Sequence, residues 1–193
     1  MTKALVVIDV QESFRARPLW QAVSNPDIVD DVQRLVSAAR AAGDLVIWVL
    51  HTEPGGGVFD PASTYVRPMA GLEPAGDEPV LRKTSRNAFT TTNLGQVLTE
   101  RGIRALVLCG IQTEQCCETT ARVAADLGYD VEFVTDATAT FPIPHRDAPA
   151  GRDVAGLLAD PRTLGTDAIV ERTEYALAGR FATIRTIAEL TGS

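Results

Sequence analysis

Cys116 is the first candidate for a catalytic nucleophile in this sequence. Cys116 follows the loop 110–115 (Gly-Ile-Gln-Thr-Glu-Gln) and stands at the first turn of a predicted helix. The free N–H groups and the positive dipole end of a helix N-terminus favour the thiolate, which is the reactive form of cysteine. The same N–H groups could hold the oxyanion that forms on an attacked carbonyl. The alternative is a small buried side chain, which is the interpretation that we prefer for Cys109 and Cys117.

A thiol nucleophile also needs a base, and a leaving amine needs an acid. Asp9 is one candidate base, and a neighbouring Lys83 would keep its carboxyl group ionised and favour a nearby thiolate. A Cys116–His51 dyad is the alternative, in which Asp9 would be dispensable. The chain has two histidines and no Asp-x-His or Cys-x-x-Cys pattern. We therefore predict no metal site and no cofactor.

Alternating strands and helices must position these residues. Apolar runs predict strands at 4–8, 45–50, 79–81, 105–109, 131–134 and 168–170. Helical spacing of apolar residues predicts helices at 26–42, 93–101, 114–127, 147–159 and 173–190. This alternation indicates an α/β fold with a mainly parallel, doubly wound sheet that helices cover on both faces. Functional sites in such folds lie outside the carboxyl ends of the strands. Asp9, His51, Lys83 and Cys116 all fall at this edge.

Two long segments without clear periodicity, loop 52–81 and segment 138–166, are predicted to wall the site. They carry apolar residues that we expect to be exposed and to make subunit contacts: Val58, Phe59, Tyr65, Phe141 and Ile143. We therefore predict a homo-oligomer, a dimer or a tetramer. The last predicted helix is expected to pack on the sheet of its own subunit through one apolar face, formed by Leu177, Phe181, Ile184 and Ala188.

Length and charge restrict the classes of function. The 193 residues suit a single domain, 1–193, and the 25 acidic against 18 basic residues give a formal net charge of −7. This acidic balance argues against a nucleic acid or an anionic membrane as partner. The apolar run at 4–8 is too short for a secretory signal, and no uncharged run of ~20 residues could span a membrane. The odd number of cysteines, three, fits a reduced, cytoplasmic setting.

Four segments carry a resemblance to a known family. They are 6–14 (VVIDVQESF), 83–89 (KTSRNAF), 110–122 (GIQTEQCCETTAR) and 128–131 (GYDV), the last leading into Asp136. In this order and spacing they resemble the isochorismatase-like cysteine hydrolases along nearly the whole chain. The resemblance implies a three-layer α/β/α sandwich around a parallel sheet, in agreement with the alternation of elements.

The resemblance also implies roles for individual residues. Cys116 falls on the nucleophile, Asp9 on the general acid and base, and Lys83 on the third member of a catalytic triad. It further implies a cis peptide bond between Ile111 and Gln112, which brings a backbone N–H into an oxyanion hole beside that of Cys116.

Members of this family mostly hydrolyse C–N bonds of small amides, ureido compounds and lactams. Isochorismatase itself lacks the nucleophilic cysteine, so the presence of Cys116 disfavours vinyl ether cleavage. Nicotinamidases usually carry an Asp-x-His metal motif after the second strand, where this chain has His-Thr-Glu-Pro at 51–54. Two alternatives remain. One is a nicotinamidase or isochorismatase activity. The other is a binding or redox-responsive protein that has the family fold and uses Cys116 and Cys117 without turnover.

The leading hypothesis is metal-independent hydrolysis of a small-molecule amide, ureide or lactam through a thioester. The residues expected to bind substrate or oxyanion are Gln11, Phe14, His51, Phe89, Ile111 and Gln112. Acidic residues of the first long loop favour a neutral or cationic amide, although solvation of the surface explains them equally well: Glu53, Asp60, Glu73, Asp77 and Glu78.

Overall fold

A six-stranded parallel sheet forms the centre of the computed structural model, which describes residues 2–192. The strands are β1 Lys3–Ile8, β2 Leu45–His51, β3 Val80–Lys83, β4 Ala105–Ile111, β5 Asp130–Ala139 and β6 Thr183–Arg185. Their order is β3-β2-β1-β4-β5-β6, and every neighbouring pair is parallel. The order reverses direction at β1, which makes the sheet doubly wound, so the predicted fold class is confirmed.

Helices cover both faces of this sheet. They are α1 Glu12–Arg15, α2 Ile28–Ala42, α3 Leu94–Glu100, α4 Glu118–Asp126, α5 Val154–Ala159, α6 Thr166–Leu177 and α7 Ile187–Thr191. A 3-10 turn at Pro18–Ala22 and a π-helical turn at Thr113–Cys117 complete the regular elements. Buried side chains of α2 and α7 pack on one face, and those of α3, α4 and α6 pack on the other. The molecule is therefore a three-layer sandwich with two apolar cores.

The C-terminal region differs from the sequence prediction. The predicted strand 168–170 lies inside α6, and the predicted helix 173–190 is divided into the end of α6, β6 and α7. Gly179 follows the end of α6 with a φ of 67°, a conformation that favours glycine and stops the helix. Thr186 then begins α7 with a capping box that includes Glu189. The expected single apolar face does not form, and Ala188 is exposed.

The two long segments also differ in part from expectation. Phe141 is buried and stacks on Phe14, with ring centroids 5.9 Å apart, so it is not an exposed subunit contact. Val58 and Phe59 face a pocket of their own subunit, whereas Tyr65 is exposed. The homo-oligomer stays a prediction, which sedimentation at several concentrations would test.

Close packing of β1 against β4 determines the backbone positions at the carboxyl edge of the sheet, where the candidate site residues lie. Ile8, the last residue of β1, pairs with Gly110 of β4. A Cβ atom on Gly110 would lie 1.9 Å from the carbonyl oxygen of Ile8, so only glycine fits there. The missing side chain lets the carboxyl ends of these two strands approach each other closely.

Candidate active site

Three of the predicted catalytic residues come from three different strand ends. Asp9 directly follows β1 and adopts a φ of 55°, in the left-handed region that Asp tolerates better than most residues. Lys83 is the last residue of β3, and Cys116 lies in the π-helical turn after β4. The side chains of Asp9 and Lys83 are fully buried, and Cys116 is 4% exposed.

The amine of Lys83 is the common neighbour of this group. Its Nζ lies 2.7 Å from Oδ2 of Asp9 and 3.2 Å from Sγ of Cys116. It also donates to the carbonyl oxygen of Ser85 at 3.2 Å and lies 3.3 Å from Nδ1 of His51. A carboxylate, a carbonyl and a thiol sulfur all accept hydrogen bonds, so this environment suits an ammonium group.

Asp9 has few partners for a buried carboxylate. Within residues 2–192, neither of its oxygens accepts a hydrogen bond of regular geometry. The groups that act on it are the ammonium of Lys83, at ion-pair distance, and the thiol of Cys116. Burial raises the pKa of the Asp9 carboxyl group, and the charge of Lys83 opposes this shift. The carboxylate therefore keeps lone pairs available to take up a proton.

The environment of Cys116 favours the protonated thiol over the thiolate. Burial and the negative charge of Asp9 raise the pKa of the thiol to about 12, and Lys83 only partly compensates. The expectation that a helix start would favour a resting thiolate is therefore wrong. The physical reason is that burial disfavours a charged sulfur and that Lys83 lies between Asp9 and Cys116, so its positive charge is shared between the two groups. A base is needed at the moment of attack.

The other two cysteines lie in the apolar cores, as predicted. Cys109 and Cys117 have no exposed surface and pack in different core clusters, on opposite faces of the sheet. Burial raises the pKa of Cys109 to about 12, and it raises the pKa of Cys117 well above its ordinary value. Both are structural thiols.

His51 is neutral and faces cations rather than the nucleophile. Its Nδ1 lies 3.3 Å from Nζ of Lys83 and its Nε2 lies 3.2 Å from Nη1 of Arg86. Burial and these two positive charges lower the pKa of His51 to about 4. Both ring nitrogens thus have neighbours other than Cys116, which disfavours the Cys116–His51 dyad.

A pocket of about 400 Å³ opens onto Cys116 and Asp9. Its other lining residues are Phe14, Arg17, His51, Glu53, Val58, Phe59, Arg86, Gln112 and Gln115. Phe14, His51 and Gln112 were predicted here, and Glu53, Val58 and Phe59 of loop 52–81 line the pocket. Segment 138–166 contributes no lining residue and only supports the pocket, through the contact of Phe141 with Phe14.

Three predicted substrate-binding side chains point elsewhere. Gln11 is buried and ties down the end of β2, donating to the carbonyl oxygen of His51 and accepting from its N–H. Phe89 packs against Tyr129 with ring centroids 5.7 Å apart. Ile111 is buried in the core, although its peptide bond to Gln112 is cis, as the resemblance implied. These residues shape the site without lining it.

Arg17 and Arg86 are the charged pocket residues that sequence reasoning missed, and Gln115 was missed as well. Arg86 lies within the segment 83–89 that carries the resemblance, and Arg17 comes three residues after Phe14. Their proximity to predicted site residues was the available indication. Nothing in the local sequence showed that both would turn toward Cys116.

Thr120 fixes the position of the nucleophile on its helix. Its Oγ1 donates to the carbonyl oxygen of Cys116 at 2.6 Å and accepts from the N–H of Ala88 at 3.1 Å. This hydroxyl connects the turn bearing Cys116 to the segment that follows Lys83. The backbone segments that bear Cys116 and Lys83 are thereby held next to each other.

Two structural features are absent from residues 2–192: a cluster of metal ligands and a membrane-spanning helix. No group of three or more His, Cys, Asp or Glu side chains is arranged to hold a metal ion. In the same part of the chain, no helix has the length and apolar character needed to cross a bilayer. Metal independence remains a prediction.

Comparison with known proteins places this geometry in a family. The isochorismatase domain model matches residues 3–157. A streptothricin hydrolase of Streptomyces noursei is 39% identical over 74% of this chain and 56% of its own length. This chain spans about half the length of the streptothricin hydrolases that it matches. A ureidoacrylate amidohydrolase of Klebsiella pneumoniae is 28% identical over 91% of this chain and 86% of its own length.

Solved structures agree with the sequence comparisons. An isochorismatase from Pseudomonas putida superposes with a TM-score of 0.83 at 31% identity, covering 97% of this chain and 89% of the other. The family match covers most of the chain, including all of the strand ends that bear the candidate site. The chain belongs to the isochorismatase family of hydrolases.

Proposed function

We propose that this protein is a cysteine hydrolase that cleaves a C–N bond of a small amide, ureide or lactam through a thioester on Cys116. One observation carries the proposal: a single buried ammonium, that of Lys83, contacts both the Asp9 carboxylate and the Cys116 sulfur. Relatives named as a streptothricin hydrolase and a ureidoacrylate amidohydrolase support C–N bond cleavage as the reaction class.

In the first half of the reaction, Asp9 takes the proton of the Cys116 thiol as the sulfur attacks the substrate carbonyl. Lys83 stays protonated and offsets the negative charge that moves from the carboxylate to the sulfur. The backbone N–H groups of Gln112 and Cys116 are proposed to hold the oxyanion. Asp9 then gives its proton to the leaving nitrogen, the C–N bond breaks, and the amine or ammonia departs.

In the second half, water resolves the thioester. Asp9, again ionised, takes a proton from the water, whose oxygen forms a bond to the acyl carbon. The C–S bond breaks, the sulfur recovers the proton from Asp9, and the acid product leaves. One carboxyl group thus serves as base and acid in turn, as its raised pKa and free lone pairs suit it to do.

The alternatives have weaker support. A Cys116–His51 dyad needs a contact between these residues, but the ring nitrogens of His51 face Lys83 and Arg86. A redox role for the adjacent cysteines needs an accessible partner thiol, but Cys117 is fully buried and does not line the pocket.

The proposal is tested by incubating the protein with a panel of small amides, ureides and lactams and measuring release of amine, ammonia and acid. Intact-mass spectrometry of quenched reactions should show an acyl group on the wild-type protein and none on Cys116→Ser. Equal product release by the wild type and by folded Cys116→Ser would overturn the proposal.

A further inference from the structure

Two arginines without carboxylate partners line the pocket that contains Cys116. The chain has more acidic than basic residues, and many of its arginines pair with acids: Arg40, for example, lies 2.7 Å from Glu78. Within residues 2–192, neither Arg17 nor Arg86 forms an ion pair, although both line the pocket. In an acid-rich protein, two such guanidinium groups in one pocket call for an explanation.

The guanidinium of Arg17 is held by aromatic rings rather than by hydrogen bonds. Its central carbon lies 6.0 Å from the ring centroid of Phe14 and 5.9 Å from that of Phe141. The residue is half-buried, and burial lowers its pKa because the positive charge loses solvation. Cation–π contacts orient the plane of the group and leave its N–H edge available. An oriented, partly desolvated guanidinium is a preformed site for a planar anion.

Arg86 contacts a neutral ring and not a carboxylate. Its Nη1 lies 3.2 Å from Nε2 of His51, whose other ring nitrogen, Nδ1, faces the ammonium of Lys83. A guanidinium carries five N–H donors, and this contact uses at most one of them. The remaining donors of Arg86 are available to an anion in the pocket.

The acidic residues of the loop offset these charges only in part. Besides Asp9, only Glu53 contributes a carboxyl group to the pocket lining, and it is exposed. It raises the pKa of Arg17 through its charge but forms no ion pair with it. Asp60 accepts hydrogen bonds from loop N–H groups, and Glu78 binds Arg40. Of the five acidic residues behind the expectation of a neutral or cationic substrate, Glu53 is thus the one that lines the pocket.

We infer that the substrate carries a carboxylate, which Arg17 and Arg86 bind while the amide carbonyl faces Cys116. The inference deepens the proposed function and rests on it for the reaction. The contacts from Cys116 through Lys83 and His51 to Arg86 separate the nucleophile from the guanidinium by several atoms. The carboxylate therefore belongs at the far end of a small molecule and not next to the scissile bond.

Alkylating probes test this without requiring turnover. N-chloroacetylglycine, N-chloroacetyl-β-alanine and 4-(chloroacetamido)butanoate place a carboxylate at increasing distances from the carbon that Cys116 attacks. Each is paired with its N-methylamide, which has the same reactive group and no charge. The measured quantity is the ratio of alkylation rates at Cys116 within each pair, divided by the same ratio for glutathione.

We expect this normalised ratio to be about ten at the best chain length, because a charge-assisted hydrogen-bonded pair contributes about that factor in affinity. Arg17→Gln and Arg86→Gln should each remove most of the preference, and Glu53→Gln should increase it. Arg104→Gln is the matched control, because it removes an exposed arginine at the opposite edge of the sheet.

A normalised ratio of one at every chain length would overturn the inference, as would a preference that persists in both pocket variants. Failure of the proposed function gives a different result. In that case the carboxylate preference would be present at Cys116, but no amide with or without a carboxylate would be turned over. Turnover without any charge preference would support the proposed hydrolase function and contradict the inference that the substrate carries a carboxylate.

Discussion

Asp9 and Glu118 are two buried carboxylates near the nucleophile, and the fold treats them in opposite ways. Both oxygens of Glu118 are satisfied: Oε1 accepts two hydrogen bonds from Arg122, and Oε2 accepts from Arg172 and Thr173. Asp9 has one ion pair with Lys83 and no hydrogen bond of regular geometry within residues 2–192.

The difference separates a structural carboxylate from a reactive one. Saturated hydrogen bonding holds the Glu118 side chain in place and joins α4 to α6, so it stabilises the fold. The sparse environment of Asp9 contributes little to stability but lets the proton move between oxygen, sulfur and substrate. The surrounding fold tolerates a poorly satisfied carboxylate there, as is common at catalytic sites.

The largest expected effect is on turnover. Asp9→Asn should reduce kcat/KM for any substrate found in the panel by about 10³-fold or more, because base and acid are lost together. Glu118→Gln should change it little. Steady-state kinetics of both variants, with folding checked by circular dichroism, make the test. Comparable losses in the two variants would mean that the distinction between the carboxylates is wrong.

For stability, we expect the substitution at Glu118 to have a larger effect than the substitution at Asp9. Glu118→Gln should lower the free energy of unfolding by about 1–3 kcal/mol, because Arg122 and Arg172 lose a shared carboxylate. The double variant Asp9→Asn/Lys83→Met removes both buried charges and should be at least as stable as the wild type. Urea unfolding measures both. A double variant that loses more stability than Glu118→Gln would contradict the account.

The pH dependence of stability tests the environment of His51, which contacts the same lysine as Asp9. His51 binds a proton near pH 6.5 in the unfolded chain but only near pH 4 in the folded one. Acid therefore favours the unfolded chain between these values, and His51 should remove about 2–3 kcal/mol of stability as the pH falls from 6.5 to 4. Well above pH 6.5 this contribution is constant.

The matched variant for that measurement is His51→Asn, which does not titrate in this range. The difference between wild type and variant isolates the contribution of His51 from those of the carboxyl groups. Identical pH slopes in both proteins would show that the ring is accessible to protons and not held between Lys83 and Arg86.

The smallest expected effect is that of metal removal. Turnover should survive exhaustive chelation, because Asp9 and Lys83 supply the base and the positive charge that a metal would otherwise provide. Activity lost to EDTA and restored by zinc would assign Asp9 to metal binding instead of proton transfer.

The sequence predicted the parts of the site that depend on strand ends. Asp9, Lys83 and Cys116 were predictable because apolar runs locate parallel strands, and their carboxyl ends meet at one edge. The orientation of long side chains was not predictable in this way. Phe89 turned toward Tyr129, and Arg17 and Arg86 turned into the pocket. In the C-terminal region, helical periodicity concealed the break at Gly179, since β6 is only three residues long.

In the proposed mechanism, Asp9 drives the attack of a thiol that is protonated at rest. Thiolate absorbance near 240 nm, measured against Cys116→Ser across pH and alongside turnover, distinguishes this mechanism from one with a resting thiolate. We predict no thiolate at Cys116 in the wild type at pH 7. In Asp9→Asn, where the opposing negative charge is gone and Lys83 remains, thiolate should appear at lower pH although turnover is lost. A full thiolate in the wild type at pH 7, or wild-type turnover by Asp9→Asn, would contradict the account.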